Sequence, residues 1–206
     1  MKSFFNKLFS FFGLILASPQ LLLFYLSSEK EVILADVRRW VEIFEWDKRA
    51  DIQNLLFLTI KNQEFRNLYY FRIAKGNLPA RLLLKVIKLF YKECGYLLLD
   101  LSSNIGPGLF IQHGLSTIIM ADMGQNCWVN QQVSIGYKDK TGRPKIGDNV
   151  RITAGAKVLG NITLGNNVTV GANAVVLKNV PDNCVVVGVP AYIVKKNGLK
   201  VKEELV

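Results

Sequence analysis

Two periodicities predict an α+β chain: helical spacing through roughly the first hundred residues, then a six-residue repeat that winds a β-helix of about four coils. A third observation points to chemistry. The only histidine of the 206 residues, His113, lies near the start of the repeat, in the run LFIQHGLSTI, residues 109–118.

The chain opens with LFSFFGLILASPQLLLFYLSS, residues 8–28, uncharged and preceded by Lys2 and Lys7. Its length and composition fit a processed signal segment or a single membrane span. They also fit a hairpin broken at Ser18-Pro19 that lies in the membrane interface or packs between subunits. Helical spacing follows in VILADVRRWVEIFEW, residues 32–46, and in DIQNLLFLTIKNQEFRNLYYFRI, residues 51–73. A further helix is expected over LPARLLLKVIKLFYKECGYLLL, residues 78–99, with Pro79 near its start. Between Phe65 and Lys92 stand Arg66, Arg72, Lys75, Arg81, Lys85, Lys88 and Lys92, with no acidic residue. They contribute to a net charge of +10. Such a surplus suits nucleic-acid phosphates as well as an anionic bilayer. Here the basic residues interleave with leucines and no nucleic-acid motif is present. A membrane surface is therefore the expected partner, and nucleic acid is not.

Near LLLDLSSN, residues 97–104, the period changes to six. One register runs Ile105, Ile111, Thr117, Met123, Val129 and Ile135. It breaks across GYKDKTGRPK, residues 136–145, and resumes through Ile146, Ile152, Val158, Leu164, Val170 and Val176. A second register, four residues on, holds Leu109, Leu115, Ala121, Cys127 and Val133, then Val150, Ala156, Ile162, Val168, Ala174 and Val180. A step of six matches neither the helical 3.6 nor strand alternation, and it makes the sides of a triangular prism. The first register points inward and stacks from coil to coil, while small second-register residues let the chain turn. Glycine often follows the first register (Gly106, Gly124, Gly136, Gly147, Gly165, Gly171), and glycine and asparagine supply the positive φ that such corners need. The expected organisation is a helical region over 1–97, a β-helix over 98–196 and a C-terminal tail over 197–206.

Cys94, Cys127 and Cys184 are odd in number and lie in apolar runs, which predicts free thiols in a reducing compartment. One histidine and no Cys-x-x-Cys offer no metal site. Taken alone, a histidine among apolar neighbours such as His113 is more often a structural residue than a catalyst.

The segments NIGPGLFIQHG, PKIGDNVRITAGAKVLGNITLGNNVTVGANAVVLKNVPDN and VVGVPAYIV resemble the hexapeptide-repeat acyltransferases. The likeness is to their serine acetyltransferase-like branch, which includes O-acetyltransferases of surface polysaccharides. It covers residues 98–196 and implies a left-handed parallel β-helix, acetyl-CoA as co-substrate, no metal, and a homotrimer or dimer of trimers. It implies that His113 is the general base, an imidazole being suited to take a hydroxyl proton near neutral pH. For coenzyme binding it implies Ala154 and Ala172, whose small side chains admit a ligand to the main chain. Gly136, Pro190 of the GVPA segment, and Lys195 with Lys196 complete the cofactor group.

The acceptor side departs from the serine-using pattern. Gln112 stands where those enzymes carry an acid directly before the histidine, and Gly142-Arg143 where they carry Arg-His before the loop proline. Asp100 is the acid nearest the place from which they orient the base. A neutral amide suits a sugar hydroxyl better than an ammonium. Gln112, Arg143 and Asp100 are therefore expected to bind a sugar hydroxyl of a surface polysaccharide or its lipid-linked precursor, at the cytoplasmic face of the membrane. Use of a cytosolic acyl thioester argues against a cleaved signal. Serine O-acetylation and a non-catalytic β-helix scaffold are the alternatives.

Overall fold

The computed structural model describes residues 18–46 and 51–205. The expectations for residues 8–17, Lys2 and Lys7 lie outside the described residues. Helix α1 is described over residues 18–26, followed by α2 (Lys30–Ile43), α3 (Asp51–Lys61), α4 (Gln63–Lys75) and α5 (Leu78–Phe90).

Two expected helices end sooner than the periodicity suggests. The run over 51–73 is two helices, because the Asn62 side chain accepts the Phe65 N–H at 2.7 Å and starts α4 afresh. The leucines at the end of the 78–99 run are strand rather than helix: β1 (Leu97–Leu99) opens the first coil.

The prism has three faces. The first stacks β1, β3 (Thr117–Ile119), β6 (Ser134–Gly136), β9 (Lys157–Leu159) and β12 (Val175–Val176). The second stacks β4 (Asp122–Met123), β7 (Lys145–Ile146) and β10 (Thr163–Leu164), extended by bridges from Ile105 and Val180. The third stacks β2 (Phe110–Ile111), β5 (Trp128–Val129), β8 (Arg151–Ile152), β11 (Thr169–Val170) and β13 (Cys184–Val187). All of these pairings are parallel. The antiparallel β14 (Tyr192–Lys196) and β15 (Leu199–Glu204) extend the third face.

The stack is five levels deep, one more than expected, because Leu99 joins it at one end and Val180 and Val186 at the other. The C-terminal stretch also departs from expectation: Leu199–Glu204 form β15 rather than a tail, and Leu205 is buried.

Inward stacking follows the sixfold count except at one position. Ile119, not Thr117, pairs with Ile135 on the first face. The corners draw positive φ from glycine, as at Gly108 and Gly155, and more often from asparagine. Asn126, Asn149, Asn167, Asn173 and Asn183 carry the positive φ of 55–57°, whereas Gly124 permits close approach between coils. A Cβ there would lie 2.1 Å from Asp148 Oδ1 and 2.8 Å from the Gly147 carbonyl carbon.

The helices are joined to the first coil by buried polar contacts. Arg72 of α4 reaches Asp36 of α2 through Nε at 2.8 Å. Its other nitrogens donate to the Ile105 and Gly106 carbonyls, and Asp36 also accepts the Gly108 N–H at 2.7 Å. Burial pushes the Asp36 carboxyl up, against the pull of Arg72 and the backbone donors. Trp40 Nε1 donates to the Leu109 carbonyl at 2.8 Å, and its ring packs edge-on against Phe65 and Phe110. Asn67 donates to the Cys94 and Leu97 carbonyls and accepts the Cys94 N–H.

Candidate active site

His113 stands in a lengthened corner. Between inward neighbours Val129 and Ile135 the chain takes six steps; between their partners Ile111 and Ile119 it takes eight. The backbone locates the surplus. Gln132 N–H bonds the Leu115 carbonyl, Gly155 N–H that of Gln131, and Asn173 N–H that of Ala154, so Leu115, Gln131 and Ala154 are equivalent. The turn residues Ser116, Gln132, Gly155 and Asn173 share positive φ of 52–74°. Gln112 pairs beyond Ile111 with Asn130, its N–H on the Val129 carbonyl. The two extra residues are therefore His113 and Gly114. They bulge from the prism, His113 is exposed at φ 53°, and Leu115 is 52% exposed. Thr117 is fully buried after the bulge. The step from Ile119 to Met123 is only four residues, which restores the phase.

Gly114 is held from the helical region. Its N–H donates to Glu64 Oε1 of α4 at 3.3 Å, and a Cβ would meet Glu64, Ile111 and Leu97 atoms at 3.1 Å each. Gln112 is held from the next coil. Its Oε1 accepts Trp128 Nε1 at 3.2 Å and Asn130 Nδ2 at 3.1 Å. The Arg151 guanidinium lies over the Trp128 ring, 4.5 Å from its centroid, and Trp128 packs edge-on against Phe110.

Ala154 and Ala172 lie on the same prism edge as His113, two and three coils along; strand spacing makes the longer interval about 14 Å. Pro190 closes that edge: Val175 N–H bonds the Gly188 carbonyl and Ala191 N–H the Val175 carbonyl, around a cis Val189–Pro190 bond. His113, Gln112, Ala154, Ala172 and Pro190 thus form one row.

The remaining expected residues are elsewhere. Asp100, Gly136 and Arg143 occupy the edge between the first and second faces. Arg143 is bound to Ser102 (2.6 Å to Oγ, 2.9 Å to the carbonyl), to Asp122 at 2.8 Å and to Asp100 at 3.5 Å. Within one chain, then, Asp100 does not orient His113, and Arg143 closes the loop across three coils. Lys195 is also displaced. Its strand runs away from Pro190 toward the opposite edge, with Lys195 beside Val185 and Lys200, and Lys196 is paired with Glu203 at 2.9 Å. Trp128, Asn130, Arg151 and Glu64 were not anticipated. The hexad register could have shown the first three, since it places Asn130 beside Gln112 and Arg151 beside Trp128; Glu64 depends on how α4 docks. Among the described residues no group of acids, cysteines and histidine is arranged to hold a metal.

Comparison with known proteins agrees with this geometry. The pattern described as bacterial transferase hexapeptide (six repeats) matches residues 143–178. The β-helix is a hexapeptide-repeat domain. It is 47% identical over 104 residues to a serine acetyltransferase of Staphylococcus aureus, covering 48% of this chain and 49% of that one. A Synechococcus elongatus serine acetyltransferase is 36% identical over 104 residues, covering 48% and 43%. The chain thus spans about half the length of the curated relatives it matches. Among solved structures, serine acetyltransferase from Neisseria gonorrhoeae superposes with TM-score 0.64 at 27% identity, over 84% of this chain and 68% of that one. The Brucella abortus enzyme gives TM-score 0.64 at 26% identity, over 82% and 69%. The hexapeptide-repeat domain is accordingly the left-handed parallel form, as the resemblance implies, and the helices before it belong to the same superposition.

Proposed function

We propose that this protein is an acetyl-CoA-dependent O-acetyltransferase with His113 as general base. The observation that carries the reading is the row that begins at the bulged, exposed imidazole and continues over the small residues Ala154 and Ala172 to the Pro190 turn. A thioester arm laid along that edge meets main chain rather than side chains. At its end the acceptor hydroxyl gives its proton to the imidazole as its oxygen bonds to the thioester carbon. The tetrahedral intermediate then expels the coenzyme thiolate, which takes the proton back from the imidazolium. Acetyl ester and free thiol are the products.

The comparisons support L-serine as acceptor, reversing the order expected from the sequence. The similar proteins are serine acetyltransferases, and the Neisseria gonorrhoeae enzyme has also been solved in complex with serine (25% identity, TM-score 0.63). A sugar hydroxyl remains the second reading. It is favoured by the neutral Gln112 and by the outer face of the helices. Leu78, Leu82, Val86, Leu89 and Phe90 of α5 are exposed, and Leu22, Tyr25 and Leu26 of α1 adjoin them through the Asn77–Leu26 bond. A row of Arg81, Lys85, Lys88 and Lys92 flanks the apolar face, an arrangement suited to an anionic membrane surface that holds a lipid-linked acceptor. Among the described residues no helix is long and apolar enough to cross a membrane. Incubation with acetyl-CoA and either L-serine or a panel of sugars, followed by product identification, tests both readings. Ester formation with neither would refute the activity.

The edge carrying Asp100, Gly136 and Arg143 completes the row only if it comes from a second copy. This supports a cyclic trimer with active sites shared between subunits.

A further inference from the structure

We infer that Gln112 reads an oxygen lone pair on the acceptor, and that Trp128 sets this preference without touching the acceptor. The inference rests on the O-acetyl-transfer reading and specifies what the site beside His113 recognises. An amide can offer either of its ends to a ligand, and which end it offers is decided by its other partners. An indole N–H only donates, so the atom of Gln112 facing Trp128 Nε1 at 3.2 Å must be the oxygen. Asn130 Nδ2 donates to the same oxygen at 3.1 Å, which occupies both lone pairs. The end left to a ligand is the NH2 group, a donor.

Two further features support the arrangement. Holding its Nδ2 on Gln112 leaves Asn130 Oδ1 buried without a hydrogen-bond partner, an unfavourable state expected where an orientation is maintained for another purpose. The Arg151 guanidinium over Trp128 adds a positive charge to the same face and polarises the indole N–H. A donor amide beside a cation welcomes a carboxylate, carbonyl or hydroxyl oxygen and gives an ammonium no partner. For L-serine, the group turned toward Gln112 is then the carboxylate; for a sugar, it is a neighbouring hydroxyl.

The test compares two acceptors that divide serine between them: 3-hydroxypropionate, with hydroxyl and carboxylate but no ammonium, and ethanolamine, with hydroxyl and ammonium but no carboxylate. For the wild-type protein, kcat/KM is expected to be at least tenfold higher for 3-hydroxypropionate. Gln112→Glu keeps an oxygen for Trp128 and Asn130 but replaces the donor end with an acceptor, and should lower the ratio tenfold or more. Trp128→Phe keeps the ring against Phe110 and removes only the N–H, freeing the amide to turn; the ratio should move toward one. A purely structural role for Trp128 would slow both acceptors alike. A wild-type ratio at or below one, or an unchanged ratio in both variants, overturns the inference. If only sugars are accepted, a methyl glycoside and its 2-amino counterpart replace the pair, with the same outcomes deciding. Transfer to no acceptor refutes the O-acetyl-transfer reading itself. The two compounds' relative binding, by saturation-transfer NMR, then decides the orientation of Gln112 in the same way.

Discussion

His113 occupies a backbone conformation that side-chain-bearing residues adopt infrequently, at φ 53° in a corner two residues longer than its neighbours. Such a conformation persists only where its surroundings hold it, and here Glu64 holds the next residue by its N–H. His113→Ala should therefore lower kcat about a hundredfold or more while leaving coenzyme affinity nearly unchanged, since the coenzyme row runs beyond it. Stopped-flow turnover with parallel calorimetry of coenzyme binding would show the split; a folded variant with normal turnover would remove the base assignment. Gly114→Ala introduces a Cβ within 3.1 Å of three neighbours, two of them the buried Ile111 and Leu97, so it should lower turnover by displacing the imidazole and lower Tm as well, which a kinetic assay and a melting curve would show. At Cys127 burial pushes the thiol up to about 11. It stays protonated at pH 8, so in a Cys94→Ser background the folded protein should react with a thiol reagent only slowly there. Rapid labelling by mass spectrometry would contradict the burial.

At the scale of elements, the pair between α2 and α4 determines how the helices sit on the first coil. Arg72→Ala leaves Asp36 buried without its partner and should cost about 3–5 kcal/mol of stability, with Asp36→Ala in the same chain restoring part of it. Denaturant unfolding of both variants would check this, and an Arg72→Ala protein of unchanged stability would exclude the pair as the anchor. The sequence showed the coils well because an inward apolar residue every sixth position is a local requirement, met from Ile146 through Val176 without exception. It misplaced Thr117, because twelve residues separate Ile111 from Met123 whether the steps are six and six or eight and four. It joined α3 to α4, since apolar spacing continues through Asn62 and only the capping bond reveals the break. Ala154, Ala172 and Pro190 share an edge because they follow the coil register, whereas His113 stands on an insertion in it and was singled out by the resemblance. Asp100 and Lys195 were assigned by nearness in sequence and Arg143 by its place in the loop motif, and neither criterion says which of the three edges of one prism a residue occupies.

For the whole molecule, the separation of the two residue groups onto different edges predicts that an isolated subunit is inactive. Light scattering with a parallel assay on dilution should show activity disappearing as the proposed trimer dissociates, and a fully active monomer would end the shared-site reading. The apolar face of α5 and its basic row predict that the intact protein floats with anionic liposomes, less so in high salt. Lys85→Glu with Lys92→Glu should abolish flotation, and an intact protein that never floats would leave that face for contact between subunits. The lengthened corner has a different consequence. Because the surplus of two residues is repaid before Met123, it is a closed dislocation, and the lattice of coils above and below carries no memory of it. A change confined to that corner should therefore leave the rest of the prism in register.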